Sequence, residues 1–586
     1  MNKLPSSCRL VAFCLSLVVA SLGVSRADVK MPAIFGDHMV LQQEIKIPVW
    51  GWADPGEAIA VTLGDDTAKA TADGGGKWSV AMLPVTDTIK PLTMTVKGKN
   101  SITFTDVLIG DVWVCSGQSN MEFDLAGNLG TYKGFGGAAN AATAVPAAND
   151  PQLRLFLVKH KIALQPESDV VGTWQVCTPD SAAPFSAVGY FFGQELRHAL
   201  HHPVGLIGTY WGGTPAQSWT SLTALQKDPP FTGYTTSYQK VLDRYPKAQQ
   251  EYPAALAKYQ DDLKKWNTTV APVYDPILKK WQDAVNQAKA ASQPPPPKPN
   301  PSTPMPKPPE GPEGGPHTPS VLFNGMISPV IPYAIKGAIW YQGEANGGNG
   351  VEYATLFPRM ITDWRERWNE GDFPFLYVEL AAFGQPQSVP AEDNGWPFLR
   401  DAQFKTLALP NTGMASAVDI GNPKDIHPKD KLDVGLRLAL VAKHVAYKQD
   451  LVYSGPLYAS MNVEGTKIRV SFTETGSGLQ VGTPPWTPDG VTPPAPTELT
   501  GFAIAGTDQK WVLAKARIDG NTVVVSSDDV AAPVAVRFGW GNCPSINLYN
   551  KEGLPASPFR TDDWPPVQPP PPPTAKPPAA AASAKP

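Results

Sequence analysis

Between residues 106 and 446, short apolar runs alternate with longer segments of helical periodicity. The apolar runs span 112–115, 204–209, 337–341 and 374–380, and the helical segments span 191–200, 353–368 and 430–446. When strands alternate with helices, each helix carries the chain back so that the next strand runs parallel to the last. The order therefore predicts an α/β fold with a parallel sheet between helices.

Two regions of β character flank this part of the chain. Residues 28–105 and 447–564 contain short runs of β-forming residues, separated by turn sequences such as Asp54-Pro55-Gly56. Short strands at such regular intervals are typical of two packed antiparallel sheets. We therefore expect a β-sandwich domain on each side of the α/β domain.

Proline accounts for 63 of the 586 residues, about twice the average share. Much of the excess lies in two segments, 294–319 and the tail beyond residue 564. Residues 223–319 are predicted to be an insertion, formed by two antiparallel helices and then an extended, solvated Pro-rich spacer. This insertion divides the α/β domain into 106–222 and 320–446, and the tail 565–586 is predicted to be disordered.

The N-terminus has the pattern of a secretory signal. Positive charges at Lys3 and Arg9 flank an apolar run over 10–24, and Ser25-Arg26-Ala27 follows with small residues at the cleavage positions. Cleavage after Ala27 would leave an exported protein, periplasmic or extracellular. The apolar run is too short for a comfortable membrane span, and no second long apolar run follows.

Charge and cysteine content exclude several classes of protein. The net charge of −4 gives no basic surface for nucleic acid or an anionic membrane. After signal removal three cysteines remain, Cys115, Cys177 and Cys543, and they form no CxxC motif. The sequence therefore predicts neither a disulfide framework nor a metal site, and no cofactor is implied.

A serine lies where the first apolar run of the α/β region ends, in Gly117-Gln118-Ser119-Asn120-Met121. Several hydrolase folds expose a nucleophile at such a sharp turn between strand and helix. Taken alone, the same residues are also typical of an ordinary turn or helix cap. A nucleophilic role requires a base, a group that orients the base, and donors for an oxyanion.

Later segments of the α/β region supply those groups. Of the eight histidines, His427 stands in a loop, Asp425-Ile426-His427-Pro428, with a carboxylate nearby and a predicted helix after it. Two further loops follow predicted strands: one contains Gly212-Gly213 and the other Gln342-Gly343-Glu344. Open parallel sheets bind ligands at the carboxyl ends of their strands, so these loops are expected to meet around the serine.

The order of the four segments resembles the SGNH hydrolases, and the chain is most similar to the sialate O-acetylesterase family. The resemblance covers about 30–564 without the insertion, and it is carried by 110–121, 211–214, 337–344, 425–428 and 547–555. It implies a flavodoxin-like SGNH domain and a serine esterase that removes O-acetyl groups from sugars without metal or cofactor. The serine turn differs from the Gly-x-Ser-x-Gly elbow of α/β-hydrolases, because Met121 replaces the second glycine.

The resemblance also implies roles for individual residues. Ser119 is the nucleophile, His427 the base, and Asp425 or Glu344 the acid that orients it. Asp425 precedes the histidine by two positions, whereas the usual SGNH spacing is three, which keeps Glu344 as a candidate. The oxyanion donors are the N–H groups of Ser119 and Gly213 and the side chain of Gln342, with Asn346 as the alternative to Gln342. Candidate substrate contacts are Gln118, Asn120, Trp211, Asn346 and Arg400.

Two other functions remain open at this stage. The substrate is an acetylated sialic acid in the first hypothesis and an acetylated polysaccharide such as xylan in the second. The third hypothesis is a catalytically silent glycan-binding protein, which would bind saccharide without releasing acetate.

Overall fold

The structure is a computed structural model that describes residues 28–566 except 87, 128–135, 292, 393–394, 489 and 491–493. The predicted signal peptide, and all but the first two residues of the predicted tail 565–586, lie outside the described residues. No helix in the described part of the chain is both long and apolar enough to cross a membrane.

The N-terminal region is built of strands, and its last strand also belongs to the α/β region. The strands are β1 (Val40–Gln42), β2 (Ile47–Trp52), β3 (Ala58–Leu63), β4 (Asp66–Thr71), β5 (Lys77–Met82), β6 (Thr88–Lys97) and β7 (Ser101–Gly117). β7 pairs along β6 in its first part and enters the central sheet in its second. The predicted boundary at 105/106 therefore falls inside one continuous strand, and a single hydrophobic core extends across it.

Six further strands complete the central sheet. They are β8 (Asp150–Leu157), β9 (Trp174–Cys177), β10 (Val204–Gly208), β11 (Gly337–Tyr341), β12 (Phe375–Glu379) and β13 (Thr412–Ser416). The order is β13-β12-β11-β7-β10-β8-β9, and every pairing on this path is parallel except β8 with β9. All residues of β10, β11 and β12 are buried, so both faces of the sheet are covered. The predicted α/β fold is confirmed, with a central sheet that is mainly parallel.

Ten α-helices are assigned within the described residues. They are α1 (Ser119–Glu122), α2 (Ala141–Ala147), α3 (Pro179–Ala182), α4 (Ala187–Leu200), α5 (Leu222–Leu225), α6 (Thr232–Thr269), α7 (Ala271–Ala290), α8 (Gly350–Trp368), α9 (Trp396–Thr406) and α10 (Lys431–Val445). Helix α4 packs on α10, and α8 packs on α9. Gly435 allows the first of these close contacts, because a Cβ there would lie 2.6 Å from Cβ of Phe191.

The two helices of the insertion continue in line, so the predicted antiparallel pair is wrong. Only Val270 separates α6 from α7, and it keeps right-handed helical angles (φ −104°, ψ −50°). Hydrogen bonds from Val270 N–H to the Trp266 carbonyl (2.8 Å) and from Tyr274 N–H to the Val270 carbonyl (2.9 Å) continue the helical pattern. Pro272 in the first turn of α7 lacks an N–H. The helical hydrogen-bond pattern is therefore interrupted at this point, but the direction of the chain does not reverse.

The Pro-rich segment after α7 packs along these helices. Trp281 Nε1 donates to the Pro296 carbonyl (2.9 Å), Tyr274 Oη to that of Pro299 (2.8 Å) and Trp266 Nε1 to that of Thr303 (2.8 Å). Two helical turns and one turn of an extended polyproline chain both advance about 10 Å, so donors and acceptors stay in register. The segment is extended and mostly exposed to solvent as predicted, but one side of it is docked on the helices.

We expect Trp281→Ala to release the Pro-rich segment, because the substitution removes both a ring that packs on it and one of three hydrogen bonds. Cleavage by a prolyl endoproteinase between residues 293 and 310 should become faster. Ile277→Ala is the matched control, since Ile277 lies on the same helix with 47% exposure. Equal cleavage rates for the two variants would contradict the docking.

The C-terminal region is again built of strands. They are β14 (Leu457–Glu464), β15 (Lys467–Thr473), β16 (Leu479–Val481), β17 (Phe502–Gly506), β18 (Trp511–Leu513), β19 (Lys515–Asp519), β20 (Thr522–Ser526), β21 (Pro533–Phe538), β22 (Leu548–Asn550) and β23 (Phe559–Arg560). Two four-stranded antiparallel sheets, β14-β15-β20-β19 and β18-β17-β21-β23, enclose a second hydrophobic core. This agrees with the β character predicted for 447–564.

Candidate active site

The serine turn lies where β7 meets α1. Gly117 ends the strand with φ +134°, and a Cβ at this position would lie 2.2 Å from the Tyr341 carbonyl oxygen, so only glycine fits. Ser119 is the first residue of α1, where the backbone N–H has no acceptor within the helix. Gln118 N–H donates to the same Tyr341 carbonyl (3.0 Å), which ties the turn to the end of β11.

His427 reaches the serine from the loop before α10. Its Nε2 lies 2.9 Å from Ser119 Oγ, although 308 positions separate the two residues in the chain. The other ring nitrogen, Nδ1, lies 3.5 Å from Asp425 Oδ1, and the same oxygen accepts the His427 backbone N–H at 2.9 Å. The hydrogen bond with His427 lowers the pKa of Asp425, so this side chain is a carboxylate at neutral pH.

Glu344 contacts the serine turn at Asn120. Its Oε1 accepts from Asn120 Nδ2 (2.6 Å), and its Oε2 is buried without a hydrogen-bond partner among the described residues. Burial raises the pKa of this carboxyl group. Of the two candidate acids, Asp425 is thus the one placed at His427 Nδ1, and Glu344 contacts the residue after the serine.

The glycine loop and the Gln342 loop are held together by side-chain amides. Gln342 Nε2 donates to Asn346 Oδ1 (2.7 Å) and to the Thr214 carbonyl (3.2 Å), and its Oε1 accepts from the Tyr353 hydroxyl (2.9 Å). Both amide hydrogens of Gln342 are therefore engaged. In this arrangement its side chain has no hydrogen left to donate to an oxyanion, which was its predicted role. Gly213 has φ +74°, a conformation that glycine adopts without strain.

Asn346 also belongs to this network and is buried. It is 3% exposed, and its Oδ1 accepts from the Ala216 N–H (2.9 Å) as well as from Gln342. Its Nδ2 donates to Gln217 Oε1 (3.0 Å). The two residues proposed as alternatives for the oxyanion contact, Gln342 and Asn346, thus bond to each other and position the loop that contains Gly213.

The remaining predicted substrate contacts occupy different places. Gln118 is buried, and its Oε1 accepts from the N–H groups of Gly343 (3.4 Å) and Ala345 (3.1 Å). Trp211 is half-buried, and its ring stacks on that of His160 with centroids 4.1 Å apart and an interplanar angle of 7°. Trp211 therefore keeps a partly exposed surface beside the serine turn, whereas Gln118 positions the Gln-Gly-Glu loop.

Arg400 does not reach the site. It is fully buried, and its guanidinium donates to the carbonyls of Leu380 (2.8 Å) and Ala381 (2.9 Å) after β12. It also donates to the carbonyls of Gly541 (2.7 Å) and Asn542 (3.0 Å) in the C-terminal region. Through these four carbonyls, the Arg400 side chain joins the α/β region to the C-terminal region. The predicted contact between Arg400 and the sugar is therefore not supported by its position.

Two charged residues near the serine turn were not predicted from the sequence. Lys431, the first residue of α10, is fully buried and donates to Asn120. Glu122 at the end of α1 accepts from the Gly212 N–H (2.5 Å) and lies 3.4 Å from His160 Nε2. A lysine at the start of a helix is ordinarily exposed, so sequence offered no signal beyond its position four residues after His427.

Among the described residues, no group of three or more histidine, cysteine and carboxylate side chains has the arrangement of a metal site. Cys115, Cys177 and Cys543 are buried as free thiols. A serine hydroxyl hydrogen-bonded to an imidazole, where a strand of a parallel sheet ends, is the arrangement of nucleophile and base in serine hydrolases. The fold and the site together therefore define the protein as a serine hydrolase.

Comparison with known proteins gives the family. The family described as "Carbohydrate esterase, sialic acid-specific acetylesterase" matches residues 109–295 and 322–443, more than half of the chain. The sialate O-acetylesterase of Rattus norvegicus is 30% identical over 490 residues, which cover 77% of this chain and 80% of the rat protein. The chain belongs to this family of carbohydrate esterases. The first matched range includes the helices of the insertion, which the sequence resemblance left out.

Two further relatives are consistent with membership in this family of carbohydrate esterases. The human sialate O-acetylesterase is 28% identical over 466 residues, 73% of each chain. The crystal structure of a carbohydrate acetylesterase from Xanthomonas citri is 35% identical and superposes with a TM-score of 0.70, covering 92% of this chain and all of that one. Similarity of this extent includes both β regions as well as the sheet.

Proposed function

We propose that the protein is a serine carboxylic-ester hydrolase that removes O-acetyl groups from sugars, with O-acetylated sialic acid as the first candidate substrate. The observation that carries the proposal is the 2.9 Å contact between Ser119 Oγ and His427 Nε2, in a chain that belongs to this esterase family. The sialate relatives support the choice of sugar.

In the proposed reaction, Ser119 Oγ attacks the acetyl carbonyl carbon while His427 Nε2 takes the hydroxyl proton. The tetrahedral intermediate collapses as His427 returns that proton to the departing sugar oxygen, which leaves an acetyl-serine. Water then attacks the acetyl-serine with its proton passing to His427, and acetate leaves as Ser119 regains its hydrogen. Asp425, ionised beside Nδ1, orients the ring and stabilises its cation.

The proposed oxyanion donors are the backbone N–H groups of Ser119 and Gly213. Ser119 supplies a helix-terminal N–H that has no acceptor within α1, and Gly213 has no side chain to block approach. Gln342 supports the site indirectly, since it holds the Thr214 carbonyl beside Gly213. Trp211, partly exposed beside the serine turn, is the proposed sugar contact.

The order of the strands supports a flavodoxin-like SGNH domain. Apart from β8 and β9, which extend one edge, the sheet reads β10-β7-β11-β12-β13. This is the 2-1-3-4-5 order of flavodoxin-like sheets when the strands are counted along the chain. We also propose export, on the basis of the predicted signal sequence over residues 1–27.

Acetate release is the test of the function. Purified protein should release acetate from 4-nitrophenyl acetate and from at least one member of a panel of O-acetylated sialic acids and acetylated xylan. The preferred sugar in the panel identifies the substrate class. Saccharide binding without acetate release from any of these esters would instead support a silent glycan-binding protein.

The orienting acid can be tested by two isosteric substitutions. Asp425→Asn should lower kcat by about 10²- to 10⁴-fold, because the ring loses the carboxylate that stabilises its cation. Glu344→Gln should keep most of the wild-type kcat, since a glutamine Oε1 still accepts from Asn120. Steady-state kinetics with 4-nitrophenyl acetate compares the two, and a reversed ranking would assign the orienting role to Glu344.

A further inference from the structure

Lys431 is a buried lysine beside the serine turn that the proposed reaction does not use. Its side chain has no exposed surface, and its Nζ lies 4.7 Å from the centroid of the Phe123 ring and 5.4 Å from that of Tyr341. Burial lowers the pKa of Lys431 to about 7, against the opposing effect of Glu344 and other nearby carboxylates. An ammonium group in such surroundings is unfavourable unless its hydrogen bonds are satisfied.

The partner of Lys431 is the side-chain amide of Asn120, which joins three segments of the site. Asn120 Oδ1 accepts from Lys431 Nζ (2.5 Å), and Asn120 Nδ2 donates to Glu344 Oε1 (2.6 Å) and to the Ile426 carbonyl (3.0 Å). Every donor and acceptor direction of the amide is therefore used except one lone pair of Oδ1. Among the residues that the structure describes, Lys431 is the side-chain donor to Oδ1.

An ammonium group donates hydrogen bonds and cannot accept them, whereas the Ile426 carbonyl and the Glu344 carboxylate only accept, so these three partners together define which way the amide faces. With Lys431 at Oδ1, the Nδ2 atom must face the Ile426 carbonyl and the Glu344 carboxylate. Without that donor, Oδ1 would be a buried acceptor with no hydrogen bond, and the amide would lose its anchor on the side opposite Ile426. Ile426 immediately precedes His427, so the hydrogen bond that holds it also holds the histidine loop.

We propose that Lys431 is a positioning residue that anchors the Asn120 amide at Oδ1 while Nδ2 binds Ile426, and thereby holds His427 against Ser119. The inference rests on the proposed function, in which the contact between Ser119 and His427 drives the reaction. Lys431 touches neither reacting group in this arrangement. It acts through Asn120, the residue directly after the serine.

The test is a double-mutant cycle with Lys431→Met and Asn120→Leu. Two readouts are measured: kcat and KM with 4-nitrophenyl acetate, and the rate at which a fluorophosphonate reagent labels Ser119. Lys443→Met is the matched control, because Lys443 lies on the same helix and pairs with Glu195 away from the site. Circular dichroism and thermal melting monitor folding of each variant.

Lys431→Met should lower kcat and the labelling rate by about 10- to 100-fold, with KM nearly unchanged, because misplacement of a catalytic group by about 1 Å costs this much. The double variant should be no slower than Asn120→Leu, since Lys431 acts through Asn120. The control should keep wild-type values. If Lys431→Met does not fold, the double variant with both polar partners replaced is compared with Asn120→Leu in its place.

Three results would overturn the inference: a wild-type kcat in Lys431→Met, a raised KM with unchanged kcat, or losses that multiply in the double variant. If the wild-type protein labels at Ser119 but releases acetate from no ester, the proposed function fails and the labelling rates alone decide the role of Lys431. A wild-type protein that does not label at Ser119 overturns both proposals, because the serine is then not activated.

Discussion

Ser119→Ala is expected to abolish acetate release, with kcat reduced by about 10⁴- to 10⁶-fold. The Ser119 hydroxyl contacts His427 Nε2 and is the nucleophile of the proposed reaction, and alanine offers no nucleophile in its place. The fold should be preserved, because the substitution removes only the hydroxyl group and Gly117 still forms the turn. Acetate release from 4-nitrophenyl acetate and a fluorophosphonate label are the measurements.

Ser116→Ala provides the matched control for this experiment. Ser116 is a fully buried serine three residues earlier in β7, and its Oγ donates to the Thr209 carbonyl at 3.3 Å. Loss of that hydrogen bond should cost about 1 kcal/mol of stability while kcat stays near the wild-type value. Comparable activity in Ser119→Ala and the wild-type protein would exclude Ser119 as the nucleophile.

Gly117→Ala should damage both stability and activity. The new Cβ would lie 2.2 Å from the Tyr341 carbonyl oxygen, and φ is +134°, where residues other than glycine are strained. Strain and overpacking together should lower the free energy of unfolding by about 3–5 kcal/mol. Any protein that folds should have the strand ends separated, so that Ser119 leaves hydrogen-bond distance of His427 and kcat falls by at least about 10²-fold.

Gly348→Ala is the control for the glycine substitution. Gly348 lies in the turn after the Gln-Gly-Glu loop, and a Cβ there would meet nothing within 4 Å. This variant should unfold at nearly the wild-type temperature and keep its activity. Thermal denaturation and steady-state kinetics of both variants make the comparison, and a Gly117→Ala protein as stable as Gly348→Ala would contradict the close approach of β7 and β11.

The sheet could be predicted because its signal is local. Strands such as β11 and β12 are short, mostly apolar and followed by helices, and each of these properties can be seen in a few consecutive residues. The strands β8, β9 and β13 were missed, since β8 begins with polar residues and β13 contains a threonine, a glycine and a serine. The insertion was misjudged for a related reason: helical periodicity does not tell whether two helices continue or fold back.

The sequence by itself determined the parallel α/β sheet, the serine turn at its carboxyl edge and the histidine loop that would face it. These follow from short-range patterns and from the rule that parallel strands end at the same edge. Only the tertiary structure placed Asp425 at His427 Nδ1 and Glu344 at Asn120, joined Gln342 to Asn346, and buried Arg400 and Lys431. Such contacts are decided by distances of a few ångströms between residues far apart in the chain, and no local pattern encodes them.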